Sequence, residues 1–174
     1  MKEQQSVALT EETVLQVLDT VLDPEVPVSI RQLGLIEEVR LDTEQIVVRL
    51  VPTMLACPAR DAIAADIRER LSSLPGGRRV IVVWETRVIW TPRRITGQGR
   101  EGLQQWGVVS EVRGTQKVSC PYCGSDHTRQ DNLFGAAVCK AQFSCRACGS
   151  SFDVLRGALM DRSLATPMQS SREE

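Results

Sequence analysis

The sequence predicts an α+β protein: a small sheet packed with helices in the order helix, strand, strand, helix, strand, helix, followed by a C-terminal zinc ribbon. Three observations carry that prediction. Apolar residues recur at helical spacing over residues 10–22 and again after Pro58. Between and beyond those stretches lie short β-branched runs bounded by turn residues, at 35–41, 45–51 and 79–83. Near the C-terminus, Cys120-Pro121-Tyr122-Cys123 and Cys145-Arg146-Ala147-Cys148 form two C-x2-C pairs about twenty residues apart, the sequence form of a tetrahedral S4 metal site.

The first helix spans residues 10–22, with Val14, Leu18 and Val21 on one stripe and Thr10 as its cap. Asp23-Pro24-Glu25-Val26-Pro27 ends it, because Pro24 restricts Asp23 and removes a backbone donor. A turn at Leu33-Gly34 leads to a hairpin, Leu35 to Leu41 and Gln45 to Val51, joined by Asp42-Thr43-Glu44. The loop Pro52 to Ala56 delivers Cys57 to a second helix, Pro58 to about Leu74, whose Ile63, Ile67, Leu71 and Leu74 face the core; Pro75-Gly76-Gly77 stops it. A strand from Arg79 to Val83 follows, and Trp84 to Thr91 continues extended. Thr96 caps a last helix ending near Trp106, against the low helix propensity of Gly97, Gly99 and Gly102. These elements form a domain at residues 7–106. Residues 107–117 read as a linker, 118–156 as the ribbon, and 157–174 as a polar, flexible tail.

Composition narrows the function classes. The chain has 174 residues, 42% of them hydrophobic, with 21 basic residues against 22 acidic. In and beside the ribbon, Lys117, Arg129, Lys140, Arg146 and Arg156 outnumber Asp126, Asp131 and Asp153 by only two. No basic field is available for a phosphate backbone, so nucleic acid is not an expected partner. Met1 to Ser6 is polar and no long apolar run follows, so neither a signal peptide nor a membrane span is expected. Paired cysteines without an export signal point to a reducing compartment, the cytoplasm, and to metal instead of disulfides.

About forty residues cannot bury enough apolar surface to fold alone, whereas a structural zinc ion contributes on the order of 10–16 kcal/mol in small peptides. Tyr122, Phe134, Phe143 and Phe152, the only tyrosine and the only phenylalanines, all fall in the ribbon, where they read as a miniature core around the metal; the competing reading is base stacking. Cys120, Cys123, Cys145 and Cys148 are the expected zinc ligands. Cys139 is either a spare buried thiol or a ligand in an alternative set, and an iron–sulfur cluster is the alternative occupant. His127, the only histidine, reads as a solvated loop residue.

Cys57 lies far from the ribbon. Before Pro58 at a helix start, its sulfur meets unpaired backbone N–H groups and the positive end of the helix dipole, both of which favour thiolate. Its position alone fits a reactive thiol and a small buried filler equally. Asp23 and Glu25, flanking a proline, read either as carboxylates presented outward or as ordinary helix-stop residues. A thiolate and a carboxylate brought together make a soft, open, labile iron site, suited to transfer more than to storage.

Asp23-Pro24-Glu25, Leu33-Gly34-Leu35, Thr53-Met54-Leu55-Ala56-Cys57-Pro58 and Trp90-Thr91-Pro92 together resemble the iron–sulfur cluster assembly domain of SufT-like bacterial proteins, which eukaryotic cytosolic cluster-targeting factors share. With Phe134-Gly135 and Cys139-Lys140-Ala141 between the cysteine pairs, the combination resembles the PaaD-like family of bacterial phenylacetyl-CoA epoxidase systems. The likeness covers roughly residues 10 to 156. Ala56 departs from it, standing where the family usually has glycine and adding a Cβ that narrows access to Cys57.

The resemblance implies an accessory maturation factor and not an enzyme. Cys57 would be the functional thiol, transiently holding iron or an iron–sulfur cluster with Asp23 and Glu25 nearby. The partners would be the epoxidase reductase, which carries a flavin and an iron–sulfur cluster, the diiron oxygenase, or both. Homodimerisation, common for this domain type, would pair two Cys57 thiols. One histidine cannot supply the paired Glu-x-x-His motifs of a diiron bundle, and no G-x-G-x-x-G fingerprint is present. The rival readings are a zinc-ribbon nucleic-acid adaptor, opposed by the charge balance, and a thiol redox protein acting through Cys57, which has no nearby resolving cysteine in sequence.

Overall fold

The computed structural model describes residues 9–111 and 118–164. They divide into two units between Trp90 and Thr91. In the first, α1 (Glu11–Leu18) begins where expected: Thr10 Oγ1 accepts the Thr13 N–H at 3.2 Å, and Glu11 and Glu12 complement the helix dipole in the first turn. It stops at Leu18, short of the expected residue 22. Asp19 is the C-cap and accepts the Ser29 hydroxyl at 2.6 Å, and the Val21 carbonyl accepts the Ile30 N–H at 3.0 Å, so the chain turns outward. A short antiparallel pair that the sequence did not announce follows, β1 (Leu22–Asp23) with β2 (Val26–Ser29). Val21 is fully buried outside the helix, which is why the apolar stripe overran the helix end.

Next, β3 (Ile36–Leu41) and β4 (Gln45–Leu50) form the expected hairpin. Its turn is set by Asp42 Oδ1, which accepts the Glu44 and Gln45 N–H groups at 2.8 and 2.7 Å. Helix α2 (Arg60–Ser72) buries Ile63, Ala64, Ile67 and Leu71, while Leu74 is only partly buried. Gly76 and Gly77, at φ of 101° and 55°, turn the chain into β5 (Arg79–Trp84). That strand pairs parallel to β4, giving sheet order β3-β4-β5. Helix α1 packs on β3 and α2, and α2 packs on β5.

Strand β4, helix α2 and strand β5 thus form a crossover unit, and Cys57 sits in the loop that leaves the C-terminal end of β4. Open α/β sheets place ligands at such strand ends. Beyond Trp84 the chain bends instead of staying extended. Trp90 then anchors it, 6% exposed, with its indole N–H donating to the Leu33 carbonyl at 3.0 Å.

The second unit opens with a single 3-10 turn, Pro92–Arg94, and α3 (Gly97–Gln105), capped by Thr96 Oγ1 accepting the Gly99 N–H at 3.1 Å. Strands β6 (Val108–Val109), β7 (Thr128–Asn132), β8 (Lys140–Cys145) and β9 (Ser151–Leu155) form one sheet in the order β6-β9-β8-β7, with β6 parallel to β9. Two expectations change here. Val108 and Val109, placed in the linker 107–117, are a strand of the ribbon sheet; residues 112–117 lie outside the described residues. Gly157, placed at the head of a flexible tail, belongs to α4 (Arg156–Leu164); residues 165–174 also lie outside the described residues. The apolar core of this unit is Val118, Cys120, Ala141, Phe143, Cys145, Phe152 and Val154. Phe143 and Phe152 stack with ring centroids 5.8 Å apart, but Tyr122 and Phe134 are 58% and 52% exposed and stay out of that core. Among the described residues no helix is long and apolar enough to cross a membrane.

Ile67 is fully buried between α2 and its neighbours, so Ile67→Ala is expected to lower unfolding free energy by about 2–5 kcal/mol in urea titrations.

Candidate metal centre and thiol site

The two C-x2-C segments fold into matching turns. The Gly124 N–H donates to the Cys120 carbonyl and the Gly149 N–H to that of Cys145, each at 2.9 Å. Cys120 and Cys145 N–H groups donate to the Ser125 and Ser150 carbonyls, also at 2.9 Å. Gly124 and Gly149 adopt φ of 74° and 76°, a left-handed conformation that favours glycine and lets both sulfurs of each turn converge. The Cys120 and Cys148 sulfurs lie 3.7 Å apart, those of Cys123 and Cys145 3.6 Å, and all four fall within 4.8 Å of one another. A tetrahedron with metal–sulfur bonds of about 2.3 Å has sulfur–sulfur edges of about 3.8 Å, so the cage fits a zinc-sized ion.

The charge distribution fits as well. The Ser150 hydroxyl and backbone N–H bring Cys148 down to about 6. At Cys123 the Ser125 N–H pulls downward, but the Cys148 sulfur, desolvation and the Cys145 and Cys120 sulfurs prevail and push it up to about 12. The cluster therefore gives up its first proton readily and a later one with difficulty. A divalent cation supplies the charge that lets all four sulfurs ionise.

Cys139 and His127 are not part of this cage. The Cys139 carbonyl accepts the Arg156 N–H at 2.8 Å, and exposed His127 is held through its backbone, its N–H donating to Ser125 Oγ at 3.1 Å. No disulfide joins any of the six cysteines, all of which are described.

Cys57 sits in a different setting. After buried Val51 and Pro52, the chain turns so that the Cys57 N–H donates to the Met54 carbonyl at 3.1 Å. Its thiol is half-buried, while Leu55 and Ala56 are exposed. None of the described non-glycine residues has positive φ, so Ala56 occupies ordinary backbone and its methyl group fits without strain.

The expectation that the helix start favours thiolate is overturned. Helix α2 begins at Arg60, not Pro58, and its N-cap Ala59 offers no side-chain cap. Burial raises the Cys57 pKa; the Ala59 N–H opposes this, the charges of Asp23 and Glu25 raise it further, and the Thr53 hydroxyl opposes. The raising influences win. The fold thus brings Asp23 and Glu25 within electrostatic reach of Cys57. Asp23 also accepts the Glu25 N–H at 2.8 Å, which shapes the turn carrying both carboxylates. Among the described residues these three groups do not close into a cage; only the ribbon sulfurs do.

Thr53 was visible only as part of a motif, and nothing in the sequence marked it as a donor to the thiol. The Arg60 guanidinium lies over the Trp84 ring, a pairing that nothing in the sequence marked, since it joins the two ends of the crossover.

Two family descriptions divide the chain: residues 11–83 match an iron-sulfur cluster assembly protein, and residues 105–156 match the PaaD zinc beta ribbon domain. Fold and cage therefore define an iron–sulfur assembly-type protein carrying a metal-binding ribbon. Over 146 residues, 80% of this chain and 88% of the relative, it is 32% identical to a putative subunit of the 1,2-phenylacetyl-CoA epoxidase of Escherichia coli. The chain belongs to the PaaD-like family. Its first unit is also 40% identical over 72 residues to an Fe-S protein maturation auxiliary factor of Porphyromonas gingivalis, covering 41% of this chain and 69% of that one. A solved domain of unknown function from Bacillus anthracis superposes with a TM-score of 0.51 at 27% identity, over 53% of this chain and 90% of its own.

Three outcomes are expected. Cys148→Ser is expected to abolish the intense charge-transfer absorption of the cobalt-substituted ribbon, and acidification to release metal from the native protein, because the ligand thiols must take up protons. Alkylation of Cys57 is expected to rise with pH about a midpoint above that of an ordinary cysteine; a midpoint below it contradicts the charge balance described.

Proposed function

We propose that this chain is an accessory maturation factor of a phenylacetyl-CoA epoxidase system in phenylacetate catabolism, without turnover of its own. It receives iron or an iron–sulfur cluster at Cys57 and passes it to the reductase or oxygenase of that system. The observation that supports this reading is that Cys57, in the loop leaving β4, lies within electrostatic reach of Asp23 and Glu25. Burial and two carboxylates make a proton on that sulfur hard to remove without replacement. An iron cation replaces it, and the same carboxylates that oppose the bare thiolate then stabilise the bound charge.

A lone thiolate with one or two carboxylates holds iron weakly compared with four thiolates, as a donor that must release its cargo requires. The ribbon takes the opposite part. Its four-sulfur cage binds zinc permanently, orders a segment too small to fold unaided, and supplies a rigid surface for docking the client. A thiol redox role fits less well, because a thiol with a raised pKa is a poor nucleophile near neutral pH. The near balance of charge likewise disfavours nucleic acid.

The test is a Cys57→Ser strain in which iron and acid-labile sulfide of the purified epoxidase subunits are measured. Their content is expected to collapse while the variant keeps its zinc and its melting midpoint. Fully loaded clients in that strain would remove the delivery role.

A further inference from the structure

We propose that Arg60 is the positioning residue of the Cys57 site: its guanidinium, seated over the Trp84 ring, ties down the Leu55 carbonyl and so fixes the loop that presents the thiol. The proposal rests on the reading of Cys57 as the working thiol. The loop is anchored at its two ends by buried Pro52 and Ala59, and its tip lies between them. Leu55 is 67% exposed and Ala56 is exposed, so neither side chain anchors the tip in the core. The bond from the Cys57 N–H to the Met54 carbonyl closes one turn but reaches no other element.

Arg60 does reach. It is the first residue of α2, and its Nη1 donates back to the Leu55 carbonyl at 3.1 Å. The same guanidinium lies 5.2 Å from the Trp84 ring centroid, within the range of a cation–π contact. Trp84 ends β5 and sits opposite Leu50, the last residue of β4, so it stands where the loop departs. One side chain therefore links the tip of the loop, the start of the following helix and the sheet edge that flanks both.

Two features fit this role better than a purely architectural one. A cation in the first turn of a helix opposes the helix dipole, so Arg60 weakens α2 by its placement and contributes outside it. The Trp84 indole N–H is buried without an acceptor among the described residues, a cost that phenylalanine would avoid; tryptophan offers the stronger face to a cation. Lysine is a poor substitute for Arg60, because only a planar guanidinium stacks on a ring and donates sideways at once.

The test uses the full-length, zinc-loaded protein and reads the rate of Cys57 alkylation by iodoacetamide at one pH, resolved from the other cysteines by mass spectrometry. Arg60→Met and Trp84→Leu are each expected to raise that rate about fivefold, the change that loss of one ordinary hydrogen bond or ring contact corresponds to, by freeing a half-buried thiol. The double variant is expected to add nothing further, since both changes break one clamp. Trp84→Phe keeps a ring face, removes the orphaned N–H, and is expected to stay close to the native rate, which guards against misfolding as the cause. Arg60→Lys is expected to follow Arg60→Met; a native rate in that variant would assign the effect to charge and overturn the proposal. Unchanged rates in Arg60→Met and Trp84→Leu, or independent effects in the double variant, also overturn it. No client enters this measurement, so fully loaded clients in a Cys57→Ser strain would defeat delivery while leaving the clamp standing, and unchanged alkylation rates would do the reverse.

Discussion

The proton on Cys57 is held by a contest that the fold sets up from three separate stretches of chain. The β1–β2 turn brings Asp23 and Glu25, the exit from β4 brings Thr53 and the thiol, and the start of α2 brings the Ala59 N–H. Burial and the two carboxylates outweigh the two donors. A sulfur so placed holds its proton more firmly than an ordinary cysteine does, and the crossover from β4 to β5 carries the thiol and both donors. Without the carboxylate turn the upward push would weaken, and without the Thr53 or Ala59 donors it would strengthen.

The ribbon solves a different problem by opposite means. Its core of Phe143, Phe152 and a few aliphatic residues is small, and the four cysteine sulfurs converge beside it at a spacing that fits a metal ion. The cage repeats one device twice: a left-handed glycine after each cysteine pair, with a backbone bond back to the first cysteine. Two sulfurs from each turn then meet at tetrahedral spacing. One chain therefore uses cysteine in two ways, as a closed four-fold cage and as a single open thiol beside carboxylates.

Much of this was legible beforehand, for identifiable reasons. Thr10 and Thr96 announced their helices because capping is a local interaction, and the Asp42 turn announced the hairpin for the same reason. The four ligands were legible because metal geometry dictates their spacing. What was missed depended on distance through the fold. The end of α1 was overestimated because Val21 is buried in extended chain, and burial keeps the same apolar signature whether or not the helix continues. Strand β6 reads as linker because two residues pairing parallel to β9 carry no periodicity. Residue type alone assigns Tyr122 and Phe134 to the ribbon core, yet Phe134 lies on the surface under the Arg156 guanidinium. The sign of the shift at Cys57 was missed because a helix start is a local cue, whereas the burial that outweighs it depends on the whole surrounding fold and is reinforced by carboxylates from a turn distant in sequence.

The most direct measurement is the count of protons released when ferrous iron is titrated anaerobically into the zinc-loaded protein, with the Cys57→Ser protein as reference. Metal binding through a thiol that is protonated beforehand must expel that proton. The account predicts about one proton released per iron bound to the native protein, and neither binding nor release at that site in the reference. Iron that binds without releasing a proton, or binds equally to the reference, would contradict it.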